Sequence, residues 1–277
     1  MNVTSAVNGT KAIWIMIFAY ILIFGIFTSL RHYNFQTQAW DLGIFVQTFW
    51  NTIHGKIMYN NLEEAKNTLG VHFSPILFLL VPGYALFPTP YFLLIAQTIV
   101  LGMGAWPVFL LSRKIFHKSA WPLIFAAGYL LYPSLHWINT FDFHPVAFLA
   151  PLLLSSFYFL ETKQWNWAYF FLILSAATRE DSILVVLFAG IYIFLRAYQN
   201  QNGKEAKIGL LVILFSLLYF LSVIKIIMPA LGGGLLRIDR YLNLGDTPAE
   251  LLKNIPAAVF TAEKLKYLIQ LFFPVAF

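Results

Sequence analysis

Residues able to do more than pack are scarce in this sequence, and they fall into a few clusters. Asp41 opens an amphipathic stretch, and His72 stands in His72-Phe73-Ser74-Pro75. Asp142 and His144 share Asp142-Phe143-His144-Pro145, and Arg179-Glu180-Asp181 form an uninterrupted charged triplet. Arg237 and Arg240 flank Asp239 shortly after Gly232-Gly233-Gly234. A carboxylate can take a proton from an attacking group. A guanidinium presents a planar fork of donors that suits phosphate. The mixture of Asp and His leaves room for a divalent cation, but no strong ligand spacing such as His-Glu-x-x-His is present, so no metal ligand is assigned. The chain has no cysteine, which excludes disulfides and thiolate catalysis.

The elements that must position these groups are membrane elements. Of 277 residues 60% are hydrophobic and 11% charged, and the mean hydropathy is +0.72, which excludes an ordinary soluble domain. The net charge of +6 reads as loops facing anionic lipid and not as nucleic-acid binding. The apolar run 12–30 is long enough to cross a hydrocarbon core about 30 Å thick, and no small-residue cleavage site follows it. Further apolar runs occupy 91–111, 121–135, 146–160, 165–178, 183–195 and 208–228, and another opens at Tyr267. Residues 76–87 would span only ~18 Å and are interrupted by Pro82-Gly83, so they are expected to be re-entrant or tilted. The expectation is one all-α transmembrane domain over 1–277, polytopic, with about seven to nine membrane segments.

If 76–87 does not cross, Lys11, Arg113, Lys114, Lys118, Lys163, Arg196, Lys204 and Lys207 share one side, which the positive-inside tendency makes cytoplasmic. The chain then sits in the cytoplasmic (inner) membrane with its N-terminus inside. The external loops are 31–73 and 229–262, and every cluster named above opens on the external side. In the first loop, Leu42, Phe45, Val46, Phe49, Trp50 and Ile53 recur at helical spacing, predicting a helix over 41–55 that lies on the membrane with this face sunk in the lipid boundary. Thr247-Pro248-Ala249-Glu250 is a capping box, predicting a short helix to about Asn254. With the glycine-rich segment before it, this suits a lid.

Each cluster also has a plainer reading. The runs around Arg179-Glu180-Asp181 are short, so the triplet should be recessed, and such charges are costly unless paired or facing a wet cavity. Arg179 could be paired to Asp181 or Glu180 only to shape a hairpin. Asp142 could cap a helix beginning at Pro145, and Asp41 could serve only the dipole of its helix. Arg237 and Arg240 could meet lipid headgroups.

The segment 41–50 with its Gln47 and Trp50, His72-Phe73-Ser74-Pro75, residues 82–88, Gln97, Asp142-Phe143-His144-Pro145, Arg179-Glu180-Asp181 and Arg240-Tyr241-Leu242-Asn243-Leu244-Gly245 together resemble a prokaryotic membrane-protein family. The resemblance is to the domain of unknown function 2079 and implies membership of the GT-C glycosyltransferase superfamily. The resemblance implies a multi-pass helical transferase taking a sugar from a polyprenyl-phosphate carrier at the external face, for an acceptor that the sequence does not name. By position it implies Asp41 as the base and Asp142 as the second acid. His72, His144, Arg179, Glu180, Asp181, Arg237 and Arg240 are then substrate-binding candidates. Partners would be the lipid-linked sugar and membrane lipid, and not nucleic acid. Full-length relatives continue further, so a C-terminal part is expected to be missing. The readings from other classes are a membrane transporter, a lipid-binding protein or a catalytically silent scaffold.

Overall fold

The computed structural model describes residues 3–63, 65–117, 120–233 and 247–259, together with 261, 264 and 266. Lys118, Arg237, Arg240, most of the expected lid and the run opening at Tyr267 lie outside the described residues. The described chain is all-α, as expected, with one isolated bridge between Tyr59 and Asn67 and no strand.

Helix α1 (Val3–Tyr33) is the first crossing, and α2 (Ala39–Ile53) is the amphipathic segment. Two short helices, α3 (Thr68–Val71) and α4 (Val81–Leu86), flank a 3-10 turn at Pro75–Leu79. Residues 76–87 therefore contain no helix of membrane-crossing length, and Leu77 and Tyr84 are fully buried in protein. Helices α5 (Pro90–Met103) and α6 (Ala105–Ile115) meet at Gly104. Then come α7 (Trp121–Leu130), α8 (Pro133–Thr140), a 3-10 turn at Pro145–Phe148 and α9 (Leu149–Glu161). Helices α10 (Trp165–Ala176) and α11 (Ser182–Gln199) form a hairpin. Helix α12 (Gly203–Ser222) continues through a π turn at Val223–Ile227 into α13 (Met228–Ala230), and α14 (Pro248–Val259) stands apart in sequence. Four stretches are long and apolar enough to cross a membrane: Gly9–Tyr33, Pro90–Ile115, Ser182–Gln199 and Gly203–Ala230.

Helix α1 shows what selects a protein-facing stripe when both faces are apolar. Ile13, Ile17, Tyr20 and Thr28 are buried at helical spacing, while Trp14, Ile15, Phe18, Leu22, Ile23 and Phe27 are exposed. Lipid tails are as apolar as leucine, so close fit and small polar groups decide the inward face. Helices α11 and α12 pack in the same way. Ideal Cβ atoms at Gly190 and Gly209 would come within 3.0 Å of Ile213 N and 2.5 Å of Phe194 N, so the two backbones touch where no side chain intervenes.

One expectation is corrected here. The apolar face of α2 is not sunk in lipid: Leu42 and Phe49 belong to the central core, with Phe45, Val46 and Ile53 packed against it. Phe49 lies 5.1 Å from the Tyr84 ring and 6.4 Å from the Phe143 ring. Trp40 and Trp50 are the exposed aromatics of this helix. Spacing alone gives the stripe's direction but not its partner, because protein and lipid select the same residues. The capping box holds, since Glu250 N–H donates to Thr247 Oγ1 at 3.2 Å, but the helix runs on to Val259 through Pro256.

Charges sort to the two ends of the bundle. At one end Glu161 pairs with Lys114 and Arg196, and Lys163 approaches Glu205 at 4.0 Å, which joins the ends of α6, α9 and α11 to the start of α12. At the other end stand Asp41, His72, Asp142, His144 and Arg179-Glu180-Asp181.

Candidate functional site

Asp41 is the third residue of α2, in the first turn and partly exposed. A carboxylate there is favoured by the helix dipole, as the plainer reading required. Asp142 lies in the connection between α8 and the 3-10 turn, and it is 2% exposed. Its Oδ2 accepts the Gln38 N–H at 2.7 Å, just before α2, and Oδ1 makes no hydrogen bond among the described residues. Asp142 therefore does not cap the helix at Pro145, whose capping residue is His144 and has no side-chain bond. The carboxylate instead ties the loop after α8 to the start of the Asp41 helix.

The backbone of Asp142 has φ 97°, in the left-handed region. A non-glycine residue so held costs on the order of 1–3 kcal/mol and persists only where its surroundings over-determine it. Gln97, on α5 and fully buried, supplies part of that determination. Its Nε2 donates to Asp142 O at 2.7 Å and Ile138 O at 3.2 Å, and its Oε1 accepts the His144 N–H at 2.7 Å. Arg31, at the end of α1, donates to Thr140 O and, at 2.9 Å, to Gln36 O.

Burial pushes the Asp142 carboxyl above the ordinary carboxylate range; the Gln38 N–H and the Arg31 charge oppose this, and the Asp41 charge adds to it. Burial holds the His144 imidazole below the usual histidine value, opposed by Asp41 and Asp142 and assisted by the cationic influence of His72 and Arg179. Groups scattered over residues 31–179 thus feel one another's charge. His144 is half-buried, stacked on Phe141 at 5.3 Å and edge-on to Phe45 at 5.9 Å.

The charged triplet divides its partners. Arg179 Nε and Nη2 grip Asp181 at 2.7 and 2.5 Å, the pairing that the hairpin reading foresaw, and this bond holds the guanidinium above its usual pKa. Glu180 points the other way and is 5% exposed. It accepts the Phe73 N–H at 2.9 Å and His72 Nδ1–H at 3.0 Å. Ile76 N–H donates to Ala177 O at 2.9 Å, so the His72-Phe73-Ser74-Pro75 strip is laced to the α10–α11 turn. The His72 ring stays half-exposed.

The structure thus gathers Asp41, His72, Asp142, His144, Arg179, Glu180 and Asp181 at one end of the bundle, while Arg237 and Arg240 lie outside the described residues. No three His, Asp or Glu side chains among the described residues are disposed to hold a metal ion. Arg31 and Gln38 are not among the residues singled out from the sequence, and Gln97 enters there only through the family resemblance, with no role given to it. The available signals were a polar Gln inside the 91–111 run and an arginine at the end of the first span.

Residues 31–277 match the family described as predicted membrane protein, domain of unknown function 2079. No curated protein and no solved structure matches the chain.

Proposed function

Because the chain belongs to this family of predicted membrane proteins, we propose that it is a GT-C-type glycosyltransferase, moving a sugar from a polyprenyl-phosphate donor to an acceptor at the external face of the inner membrane. The observation that carries the reading is the convergence of two carboxylates, Asp41 and Asp142, with His144, His72 and Arg179 at the end opposite the Glu161 ion-pair cluster. Asp41, in the first turn of α2 and partly exposed, is the base that takes the acceptor proton. Asp142, buried and with one oxygen that makes no hydrogen bond among the described residues, is the second acid that orients the acceptor. Arg179 is the phosphate-facing cation, anchored by Asp181 so that its position is fixed. His72 and Glu180 hold the strip at the rim of the site.

A groove of about 530 Å³ along the outer faces of α1 and α5, lined by Phe18, Leu22, Ile26 and Ile95 and ending at Tyr33 and Tyr91, supports a lipid substrate.

The test is transfer by membranes supplied with radiolabelled polyprenyl-phosphate sugars. Asp41→Asn is expected to lose on the order of a hundredfold or more of the wild-type rate, the contribution of a general base. Equal transfer by the two proteins removes the base, and with it the reading.

A further inference from the structure

Gln97 sits within a membrane-crossing span, is fully buried, and spends all of its hydrogen-bonding reach on the loop that carries Asp142. Its neighbour Thr98 continues the bracing, donating to Asn139 Oδ1 at 2.9 Å, while Asn139 Nδ2 donates to Tyr20 of α1 at 3.2 Å. Filling space would need only volume, which leucine supplies without a polar group of its own to satisfy. Three bonds to backbone groups of 138, 142 and 144 fix instead the path of the loop, and with it the direction in which the Asp142 side chain leaves the backbone. The bonds reach Ile138 O, Asp142 O and the His144 N–H, on both sides of the Asp142 Cα, and Asp142 is the residue of this loop held at a left-handed φ.

We propose that Gln97 is the positioning residue of the site: its carboxamide locks 138–144 in the conformation that keeps the Asp142 carboxyl buried against Gln38 and within reach of the Asp41 charge. The role of Asp142 in transfer rests on the function proposed above, but the lock itself is a matter of geometry and can be read without any transfer. Losing the amide frees the loop, lets Asp142 leave its strained φ, and exposes its carboxyl to water. Glutamate in its protonated form retains both an acceptor for the His144 N–H and a donor for one carbonyl, so it restores the lock only while it holds its proton.

Dicyclohexylcarbodiimide modifies protonated, buried carboxyls, and mass spectrometry locates the adduct at Asp142 in the detergent-purified full chain. In wild type, labelling is expected to persist above the ordinary carboxylate range. In Gln97→Leu its pH midpoint is expected to fall toward the ordinary carboxylate range as the carboxyl regains water. At a pH just below the wild-type midpoint, Gln97→Glu is expected to label at the wild-type rate and Gln97→Leu more slowly. Should the leucine variant not purify as a monodisperse protein, Gln97→Asn, which keeps the amide and loses its reach, takes its place. A folded Leu or Asn variant with the wild-type midpoint overturns the proposal, as does a Glu variant no closer to wild type than Leu. Transfer is assayed separately: its absence from the wild type counts against the proposed function and leaves the labelling comparison intact.

Discussion

Adjacent carboxylates in the turn after α10 meet opposite fates, and solvation explains the difference. Asp181 stays partly open and answers Arg179, whereas Glu180 is almost closed off and must find its donors inside the protein. A buried acceptor's partners become orphans when it is deleted, at a cost of about 1–3 kcal/mol. Glu180→Ala, which strands the Phe73 N–H, is therefore expected to lower the melting temperature in detergent. Glu180→Gln is expected to stay near wild type, because its carbonyl still accepts that N–H and its amide can face a neutral His72. Equal melting temperatures for all three proteins would show that the strip is not held by this bond. His144 yields a prediction about pH. Its folded-state pKa is lowered, so above the ordinary histidine value of 6.5 both states are neutral and no stability is at stake. As pH falls from 6.5 toward the depressed folded value the unfolded chain takes the proton first, and stability is lost. Melting curves between neutral pH and pH of about 5 should show this loss in wild type and less of it in His144→Gln; an unchanged slope would remove His144 as its source.

Among the elements, the α11–α12 pair depends most on what is absent. With Gly209 against the Phe194 backbone and Gly190 against Ile213 N, any Cβ must push two backbones apart. Gly209→Val is expected to destabilise the helix pair by about 1–3 kcal/mol, the usual penalty of overpacking, whereas the same change at Gly203, with open space around it, should be close to neutral on packing grounds. Thermal stability of the purified variants checks the contrast. Four of the apolar runs, 12–30, 91–111, 183–195 and 208–228, were legible as crossings because backbone length against bilayer thickness is a hard constraint, and the 76–87 segment holds no helix of that length. The partner of α2 was not legible, since a stripe of Leu42, Phe45, Phe49 and Ile53 suits lipid and a protein core equally. Within the site, Asp142, Glu180 and Arg179 stood out because charges are rare and expensive in such a chain. Gln97 carries no charge, and nothing local in its span reveals that it braces a loop more than 40 residues away.

At the scale of the molecule, the organising feature is the separation of charges between the two ends of the bundle. Glu161 gathers Lys114 and Arg196 at one end, Asp41, Asp142, Arg179 and Glu180 meet at the other, and the apolar length of α11 lies between Asp181 and Arg196. A lipid-linked donor presented on the external leaflet can be used only if the second end faces outward, so sidedness bears directly on the proposed reaction. The chain lacks cysteine, which makes the measurement clean. Single cysteines at His54, an exposed residue at the end of α2, and at Lys163, 72% exposed beside Glu205, report the two ends. With a membrane-impermeant maleimide applied to sealed cells, His54→Cys is expected to react at once and Lys163→Cys only after permeabilisation. The reverse order would keep the fold but turn the site toward the cytoplasm, away from an externally presented donor. Reaction of both from the same side would contradict the two-ended bundle itself, because the span between Asp181 and Arg196 would then cross nothing.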